Sequence, residues 1–139
     1  DVLKSLPDGK FSMEREVFPG IAESGKMAGL VFEGYFVDAG SPSSFIEAAG
    51  ACIQNNRFST GHRVDNSWFG EGSVCDGEVE GCSIGSEAIV SPGARLRNSV
   101  ILDGAHIGEN VKLESCIVER GASVPANYVM TGKVIANSD

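Results

Sequence analysis

Four cysteines are the residues whose spacing could most directly indicate a zinc or redox site. No pair among them has the Cys-x-x-Cys spacing that such sites use; they stand at Cys52, Cys75, Cys82 and Cys116. Cys75 and Cys82 are near enough in the chain to approach one another, and the sequence alone does not decide whether they do. The cysteine pattern therefore gives no positive signal for metal binding or thiol chemistry.

One acidic residue, Asp38, has a local context of its own. It lies in the string VDAGSP, directly after an apolar run and before Ala39-Gly40. An Asp in this position commonly accepts a hydrogen bond from the backbone two residues on and so forms an Asx turn. On the residues alone, Asp38 is therefore predicted to form a turn.

The charge balance and composition exclude several classes of function. The 139 residues have 42% hydrophobic content and a formal net charge of −8, with only 11 Lys and Arg. A nucleic-acid surface needs clustered cations to displace counterions, so we expect no nucleic-acid partner. No apolar run approaches the roughly 20 residues of a membrane span and no signal-peptide pattern opens the chain, so we expect no membrane partner and a cytoplasmic location. The chain begins with Asp rather than Met, which indicates a piece of a longer polypeptide.

Residues from about 73 to 135 repeat with a period of 17. At this spacing three columns of mainly apolar residues emerge: Ser73, Val90, Ile107, Val124; Val79, Leu96, Leu113, Met130; and Ile84, Ile101, Val118, Ile135. A repeat this short cannot bury its own apolar residues, so its copies must stack, which predicts a solenoid. Within a repeat the columns are 6, 5 and 6 residues apart, which predicts three short strands per coil with alternate side chains inward. Cys82 and Cys116 share another column, two coils apart and too distant for a disulfide, and are predicted to be small buried residues.

Outward columns give an independent check of this register. Coils stacked about 4.8 Å apart place opposite charges together; the pairs are Glu78 with Arg95, Glu80 with Arg97, and Asp103 with Arg120. One outward column is mostly apolar: Ser83, Val100, Ile117, Val134. An apolar stripe predicts a contact with another subunit or another domain, although strands favour β-branched residues wherever they occur. We therefore expect a homo-oligomer, or a contact with another domain, through Val100, Ile117 and Val134.

The strings IGSEAI, VSPGAR and IGENVK resemble the imperfect hexapeptide of the left-handed parallel β-helix family. The resemblance covers roughly residues 68–135 and implies a mainly β fold with left-handed coils. Its handedness comes from the family, because parallel crossovers in general are right-handed in about 98% of cases. Some members of the family are acyltransferases with a catalytic His, which makes His62 and His106 candidates for a general base. Neither has an evident orienting acid and no long loop interrupts the coils, so an acyltransferase is the weaker alternative.

The residues before the repeat predict a small α/β segment. Ser12 as N-cap predicts a helix from about Met13 to Glu23. Apolar runs at 26–32 and 35–37 predict two strands with a turn between them. The pair Ser41-Pro42 predicts a second helix from Pro42 to about Gln54.

These elements suggest three parts. Residues 1–56 are predicted to be the end of a larger domain, because so few elements cannot bury the apolar residues they carry. Residues 57–67 are polar and have the composition of a linker. The β-helix is predicted to occupy residues 68–139.

Residues 12–50 resemble the closing part of the catalytic domain of sugar-1-phosphate nucleotidyltransferases. The strings that carry the likeness are SMEREVFPGIAESGKMAGLVFEGYFVDAGSP and SSFIEAAG. The likeness is strongest to mannose-1-phosphate guanylyltransferases, which often append a hexapeptide β-helix. The nucleotidyltransferase-like segment precedes the β-helix here, as it does in the family. This order implies that the chain is the C-terminal fragment of such an enzyme. Its β-helix then serves oligomerisation or regulation.

The resemblance also implies a reaction. A phosphate oxygen of the sugar 1-phosphate attacks the α-phosphorus of a nucleoside triphosphate and expels pyrophosphate, with Mg²⁺ held by carboxylates and phosphate oxygens. Asp38 in VDAGSP resembles the family's metal-binding acid and is the one site residue carried over. Glu14, Arg15 and Glu16 match a family helix and are interpreted mainly as a solvated face.

Other parts of the family's active site have no counterpart in these residues. They are the Gly-rich nucleotide loop, the second metal acid and the Glu-Lys-Pro element that contacts the sugar phosphate. One carboxylate cannot hold a Mg²⁺ ion that sheds its waters reluctantly. We therefore expect this polypeptide alone to be catalytically inactive. A non-catalytic scaffold or regulatory subunit built from the same parts is the alternative.

Overall fold

The computed structural model describes Lys4 and residues 6–137, and the chain divides into two units, Asp1–Tyr35 and Phe36–Asp139. The helices are a π-helical turn at Met13–Val17, α1 at Phe18–Glu23 and α2 at Pro42–Gln54. Two strands form a hairpin, β1 at His62–Val64 and β2 at Ser67–Phe69. The remaining strands are β3 Val74–Cys75, β4 Glu78–Glu80, β5 Ser83–Ile84, β6 Ile89–Val90, β7 Arg95–Arg97, β8 Val100–Ile101, β9 His106–Ile107, β10 Lys112–Glu114, β11 Ile117–Val118, β12 Ser123–Val124, β13 Val129–Thr131 and β14 Val134–Ile135.

The first unit contains the helical segment predicted for residues 13–23. Ser12 caps it: the Ser12 hydroxyl accepts a hydrogen bond from the Arg15 N–H at 3.4 Å, and Glu16 Oε1 accepts one from the Ser12 N–H at 2.9 Å. The segment begins as a wide π turn and continues as α1. Pro19 explains the wide turn, because its missing N–H interrupts the regular α pattern. The predicted helix is confirmed.

The strands predicted at 26–32 and 35–37 are wrong. Residues 26–40 contain neither helix nor strand, and their large apolar side chains are exposed: Leu30 is 95% accessible, Phe32 73% and Phe36 82%. A strand needs a neighbour to satisfy its backbone hydrogen bonds, and no strand among the described residues pairs with this segment. The sequence indicated a strand preference, but not the partner that a strand requires.

Helix α2 begins and ends as predicted, at Pro42 and Gln54. Ser41 is the N-cap: its Oγ accepts a hydrogen bond from the Ser44 N–H at 3.2 Å, and Ser44 Oγ accepts one from the Ser41 N–H at 3.1 Å. This reciprocal arrangement, with Pro42 at the first helical position, satisfies backbone donors that the first turn leaves free. At the other end the Arg63 guanidinium donates to the Ile53 carbonyl.

The segment predicted as a linker contains a strand. β1, at His62–Val64, pairs with β2 in an antiparallel hairpin whose turn includes Asp65 at φ +50°. Trp68 fixes the hairpin further, because its indole N–H donates to the Thr60 carbonyl and its ring stacks on Phe58 with centroids 4.7 Å apart. The polar composition of residues 57–67 gave no indication of strand β1 in the sequence. This strand covers one edge of the sheet that contains β2.

The second unit is mainly a β-solenoid with three parallel sheets. One sheet has the order β1-β2-β5-β8-β11-β14, the second β3-β6-β9-β12, and the third β4-β7-β10-β13; every pairing except β1 with β2 is parallel. The predicted columns lie in register, as in Ile84 with Ile101 and Ile101 with Val118. Their side chains form one buried core. The predicted solenoid and its 17-residue register are confirmed for these coils.

The first coil departs from the 17-residue spacing. Cys75, and not Ser73 as predicted, pairs with Val90. The corner between β3 and β4 consists of Asp76 and Gly77 alone, whereas the corresponding corner in the next coil has the four residues 91–94. Gly77 is needed there, because an added Cβ would lie 2.7 Å from the Ala94 carbonyl oxygen. The column therefore shifts by the two residues that this corner lacks.

The predicted charge pairs are confirmed. Arg95 Nε lies 3.2 Å from Glu78 Oε2, Arg97 Nε lies 3.4 Å from Glu80 Oε2, and Arg120 Nη2 lies 2.8 Å from Asp103 Oδ2. Five of the six side chains are largely exposed and Asp103 is about half exposed, so each pair contributes only about 0–1 kcal/mol. These ion pairs therefore confirm the 17-residue register, and they add little to stability.

The apolar stripe is covered mostly from within the chain. Ser83, Val100 and Ile117 are buried, whereas Val134 is 47% exposed. Helix α2 contacts β5, and Phe45 of its first turn borders the same groove as Ile117 and Val134. This agrees with the alternative in which the stripe contacts a preceding domain segment. Val100 and Ile117 are therefore covered by residues of this chain, and the predicted subunit contact through Val100, Ile117 and Val134 stays a prediction.

Candidate functional site

The turn that carries Asp38 joins the irregular segment 26–37 to helix α2. Asp38 Oδ1 accepts a hydrogen bond from the Gly40 N–H at 3.1 Å, which is the predicted Asx turn. The next residue, Ser41, is the N-cap of α2. Asp38 is exposed and its second carboxylate oxygen has no hydrogen bond among the described residues. The local sequence therefore fixes the position of one carboxylate and leaves one of its oxygens open.

A shallow apolar groove lies beside this turn. It has a volume of about 300 Å³ and is bordered by the turn and first residues of α2 on one side and by the six-stranded sheet on the other. Its apolar lining includes Pro42, Phe45, Leu102, Ile117 and Val134. Periodicity did not predict this groove, because it depends on where α2 lies against the sheet.

A larger groove of about 570 Å³ runs along the outer face of the sheet β4-β7-β10-β13. In each of these three-residue strands the central side chain points inward and the two flanking side chains point outward. The outward side chains of the four strands therefore form two rows, which are the walls of the groove. The charged members are Glu78, Glu80, Arg95, Arg97, Lys112 and Glu114. Three carboxylates balance three cations, and two of the cations already pair with carboxylates. The groove therefore offers no concentrated charge for an anionic or cationic ligand.

The two histidines lie on different sheets. The His62 ring stacks on Phe69 with centroids 5.7 Å apart. His106 lies on β9, exposed, with its Nε2 3.5 Å from the hydroxyl of Ser91. Neither ring contacts a carboxylate among the described residues, so the arrangement lacks the orienting acid that a general base usually has.

The solenoid cysteines pack within the fold, as predicted for Cys82 and Cys116. All four cysteines are free, and Cys82 and Cys116 are fully buried. Burial raises the pKa of the Cys82 thiol to about 11, so this thiol stays protonated at neutral pH. The serines of the same column accept backbone hydrogen bonds: Ser67 from the Cys82 N–H at 3.2 Å and Ser99 from the Cys116 N–H at 3.1 Å. The small side chains of this column therefore stabilise the corner of the coil, and we assign them no chemical role.

The described part of the chain does not assemble a metal site by itself. Among these residues no three His, Cys, Asp or Glu side chains are grouped so as to hold a metal ion. Likewise, no helix in the same residues is both long enough and apolar enough to cross a membrane. Asp38 is thus the single carboxylate of the sequence prediction, held in a defined turn, and it belongs to no group of three potential metal ligands among the described residues.

Comparisons with known proteins place this geometry in context. A family profile described as GlmU-like, C-terminal hexapeptide matches residues 49–134. The chain is 30% identical over 128 residues to a mannose-1-phosphate guanylyltransferase of Mycobacterium tuberculosis, which covers 86% of this chain and 34% of that protein. It is 31% identical over 123 residues to the mannose-1-phosphate guanylyltransferase catalytic subunit beta of Danio rerio, covering 81% of this chain and 34% of that protein.

An adenylyltransferase is similar as well. Identity to a glucose-1-phosphate adenylyltransferase of Bacillus cytotoxicus is 27% over 147 residues, covering 89% of this chain and 39% of that protein. The chain thus spans about a third of the length of these relatives.

Proposed function

The chain belongs to the GlmU-like C-terminal hexapeptide family, and on this premise we propose that it is the C-terminal part of a sugar-1-phosphate nucleotidyltransferase. The complete enzyme joins a nucleoside triphosphate to a sugar 1-phosphate and releases pyrophosphate. The names of the relatives support this reaction class, since they transfer guanylyl or adenylyl groups to mannose or glucose 1-phosphate. In the proposal this chain alone is inactive.

The exposed apolar segment at residues 26–36 is the observation that carries the proposal. Leu30, Phe32 and Phe36 are largely exposed, and so are Val31 and Tyr35, which lie between them in the sequence. Burying one such side chain contributes about 1.5–3 kcal/mol, so a cover for the whole segment is strongly favoured. An exposed run of large apolar side chains is typical of a surface that contacts another domain or chain.

We assign that cover to the nucleotide-binding half of the enzyme. The relatives have about two thirds of their length outside the matched region, which is sufficient for such a domain. In this arrangement the nucleotide-binding half packs against the exposed apolar side chains of residues 26–36. The solenoid then extends from the completed domain and serves oligomerisation or regulation.

Asp38 contributes one carboxylate to the active site in this proposal. Mg²⁺ requires near-octahedral oxygen ligands and usually takes one or two carboxylates together with substrate phosphates. The described residues do not fit the ion alone, because Asp38 belongs to no group of three or more potential ligands among them. The Asx turn nevertheless holds the carboxylate in place directly before helix α2, and its second oxygen has no hydrogen bond among the described residues. The partner acid comes from the other half.

The nucleotide and sugar are proposed to be GTP and mannose 1-phosphate. This choice rests on the likeness of residues 12–50 to mannose-1-phosphate guanylyltransferases and on relatives of that name. Contacts to the base and the sugar lie mostly outside this chain in the family, so the adenylyl and glucose pair is the comparison to include in any assay.

A complementation assay tests the proposal. The N-terminal part of the Mycobacterium tuberculosis relative, ending where the match begins, is mixed with this chain, a sugar 1-phosphate, a nucleoside triphosphate and Mg²⁺, and pyrophosphate release is measured. We expect release from the mixture and none from either piece alone. Asp38→Asn keeps an oxygen for the Asx turn and removes the charge, so it is expected to abolish turnover while the two pieces still co-elute.

Matched variants distinguish a loss of docking from a loss of catalysis. Leu30→Asp with Phe32→Asp is expected to prevent co-elution and activity, whereas Ile89→Asp, on the outer face of the solenoid, leaves both unchanged. Turnover by this chain alone refutes its incompleteness. No activity in the mixture, while the relative's own C-terminal part restores it, favours the scaffold alternative. Micromolar binding of acetyl-CoA that is lost in His106→Ala favours the acyltransferase.

A further inference from the structure

Local restraints tie the Asp38 carboxylate to the first turn of helix α2. Its Oδ1 accepts a hydrogen bond from the Gly40 N–H at 3.1 Å, and the next residue, Ser41, forms the reciprocal cap with Ser44. Pro42 follows, with a φ angle that its ring fixes. These restraints leave little freedom between the carboxylate and the helix. We therefore expect the carboxylate to move with the N-terminal end of α2.

Residues of the six-stranded sheet hold α2 near both of its ends, and Asp38, α2 and the solenoid belong to the same unit. Near the C-terminal end Ile53 is 2% exposed, and its carbonyl oxygen accepts a hydrogen bond from the Arg63 guanidinium at 3.3 Å. Near the N-terminal end Phe45 lines the shallow groove together with Ile117 of β11. The direction of the helix therefore depends on how its two ends contact the sheet.

The length of α2 makes its N-terminal end sensitive to small tilts. From Pro42 to Gln54 the helix is about 18 Å long, at about 1.5 Å per residue. A tilt of about 5° about the C-terminal contact displaces the other end of such a helix by about 1.5 Å. In enzymes a misplacement of about 1 Å can lower the rate about a hundredfold. Phe45 lies in the first turn, where the displacement is largest.

We propose that Phe45 is a positioning residue of the active site, which acts through α2 to fix where the Asp38 carboxylate lies. Among the α2 residues that line the groove, Phe45 has the largest apolar side chain, so its packing determines how closely the helix approaches the sheet. The inference rests on the proposed function, in which Asp38 supplies a carboxylate to the active site. It adds that the solenoid determines the position of that carboxylate, because the Asx turn relates Asp38 to α2 alone.

Residual dipolar couplings of the backbone N–H groups measure the direction of α2 relative to the solenoid strands in the whole chain. We expect Phe45→Ala to change this direction by several degrees, because removal of the ring lets the helix move closer to the sheet. Ile117→Ala removes bulk from the opposite wall of the groove and is expected to change the direction as well. Ile107→Ala is the matched control, because Ile107 is a buried isoleucine of the solenoid core and does not line the groove. An unchanged direction in Phe45→Ala overturns the inference.

Turnover in the mixture with the N-terminal part of the Mycobacterium tuberculosis relative measures the consequence for catalysis. Phe45→Ala is expected to lower kcat about tenfold or more, with KM changed less than about twofold and co-elution retained. Phe45→Leu keeps a large apolar side chain at the groove and is expected to restore most of kcat. Phe45→Ala combined with Ile117→Ala should lower kcat by less than the product of the two single effects, since both act on one contact. Ile107→Ala is expected to leave kcat unchanged, and circular dichroism shows that each variant is folded.

The outcomes distinguish a failure of this inference from a failure of the proposed function. If Asp38→Asn abolishes turnover while Phe45→Ala keeps the original kcat, the proposed function stands and the inference is overturned. Equal losses of kcat in Phe45→Ala and Ile107→Ala indicate general destabilisation and overturn it as well. If the mixture shows no turnover although the relative's own C-terminal part restores it, the proposed function fails and the catalytic role of Phe45 fails with it. The dipolar couplings then still show whether Phe45 sets the direction of α2.

Discussion

Ile107→Ala should destabilise the solenoid by about 3–4 kcal/mol. Ile107 is fully buried between Val90 and Val124 of the neighbouring coils. Ile→Ala substitutions in cores cost about 2–5 kcal/mol, depending on how far the site can collapse. Collapse is restricted here, because interstrand hydrogen bonds hold the coils in register: the Gly108 N–H donates to the Val124 carbonyl and the Ser91 N–H to the Ile107 carbonyl, each at 2.9 Å. The cost therefore belongs in the middle or upper part of the range.

Urea unfolding followed by far-UV circular dichroism measures this effect. Ile89→Ala is the matched control, because Ile89 lies on the outer face and is 41% exposed; a change within about 0.5 kcal/mol is expected there. Ile107→Val removes one carbon and should cost about 0.5–1.5 kcal/mol. A loss below about 1 kcal/mol for Ile107→Ala, or a loss equal to that of Ile89→Ala, would refute the stacking of these columns as the main source of stability.

Two further predictions concern the small-residue column. Ser99→Ala should cost about 1–3 kcal/mol in urea unfolding, because it leaves the buried Cys116 N–H without the hydroxyl that accepts from it; an unchanged midpoint would contradict this role. Burial raises the pKa of Cys82 from its usual 9.0 to about 11, so the unfolded chain releases this proton at lower pH than the folded chain does. The resulting stability is complete below pH 9 and declines as pH rises from 9 to 11, and Cys82→Ala should reduce that decline in unfolding midpoints measured across this range.

The solenoid could be predicted from sequence because its periodicity is a direct consequence of stacking. Each inward column is buried only if every coil repeats it, so Val90, Ile107 and Val124 had to recur at one spacing. The charge pairs followed from the same register. What the period could not supply was the length of each corner, which depends on backbone geometry such as the close approach of Gly77 to the Ala94 carbonyl.

The residues before the solenoid show where local reasoning stops. The caps at Ser12 and Ser41 involve neighbours three or four residues away, so both helices were predictable. The same applies to the Asx turn of Asp38. The strands expected at 26–32 and 35–37 require a distant partner, which no local pattern contains. The two grooves depend on how elements pack, and only the charged columns along the larger groove gave a signal in the sequence.

The short corner at Asp76-Gly77 has a practical consequence for engineering. With two residues fewer there, the strands on either side still pair in register with the next coil. Corner length is therefore adjustable while strand phase is conserved, so foreign peptides grafted between Ser91 and Ala94 should be displayed without disturbing the layers beneath. A sequence search for such folds should likewise measure the spacing from strand to strand. A search with one fixed period misses any coil whose corner has a different length.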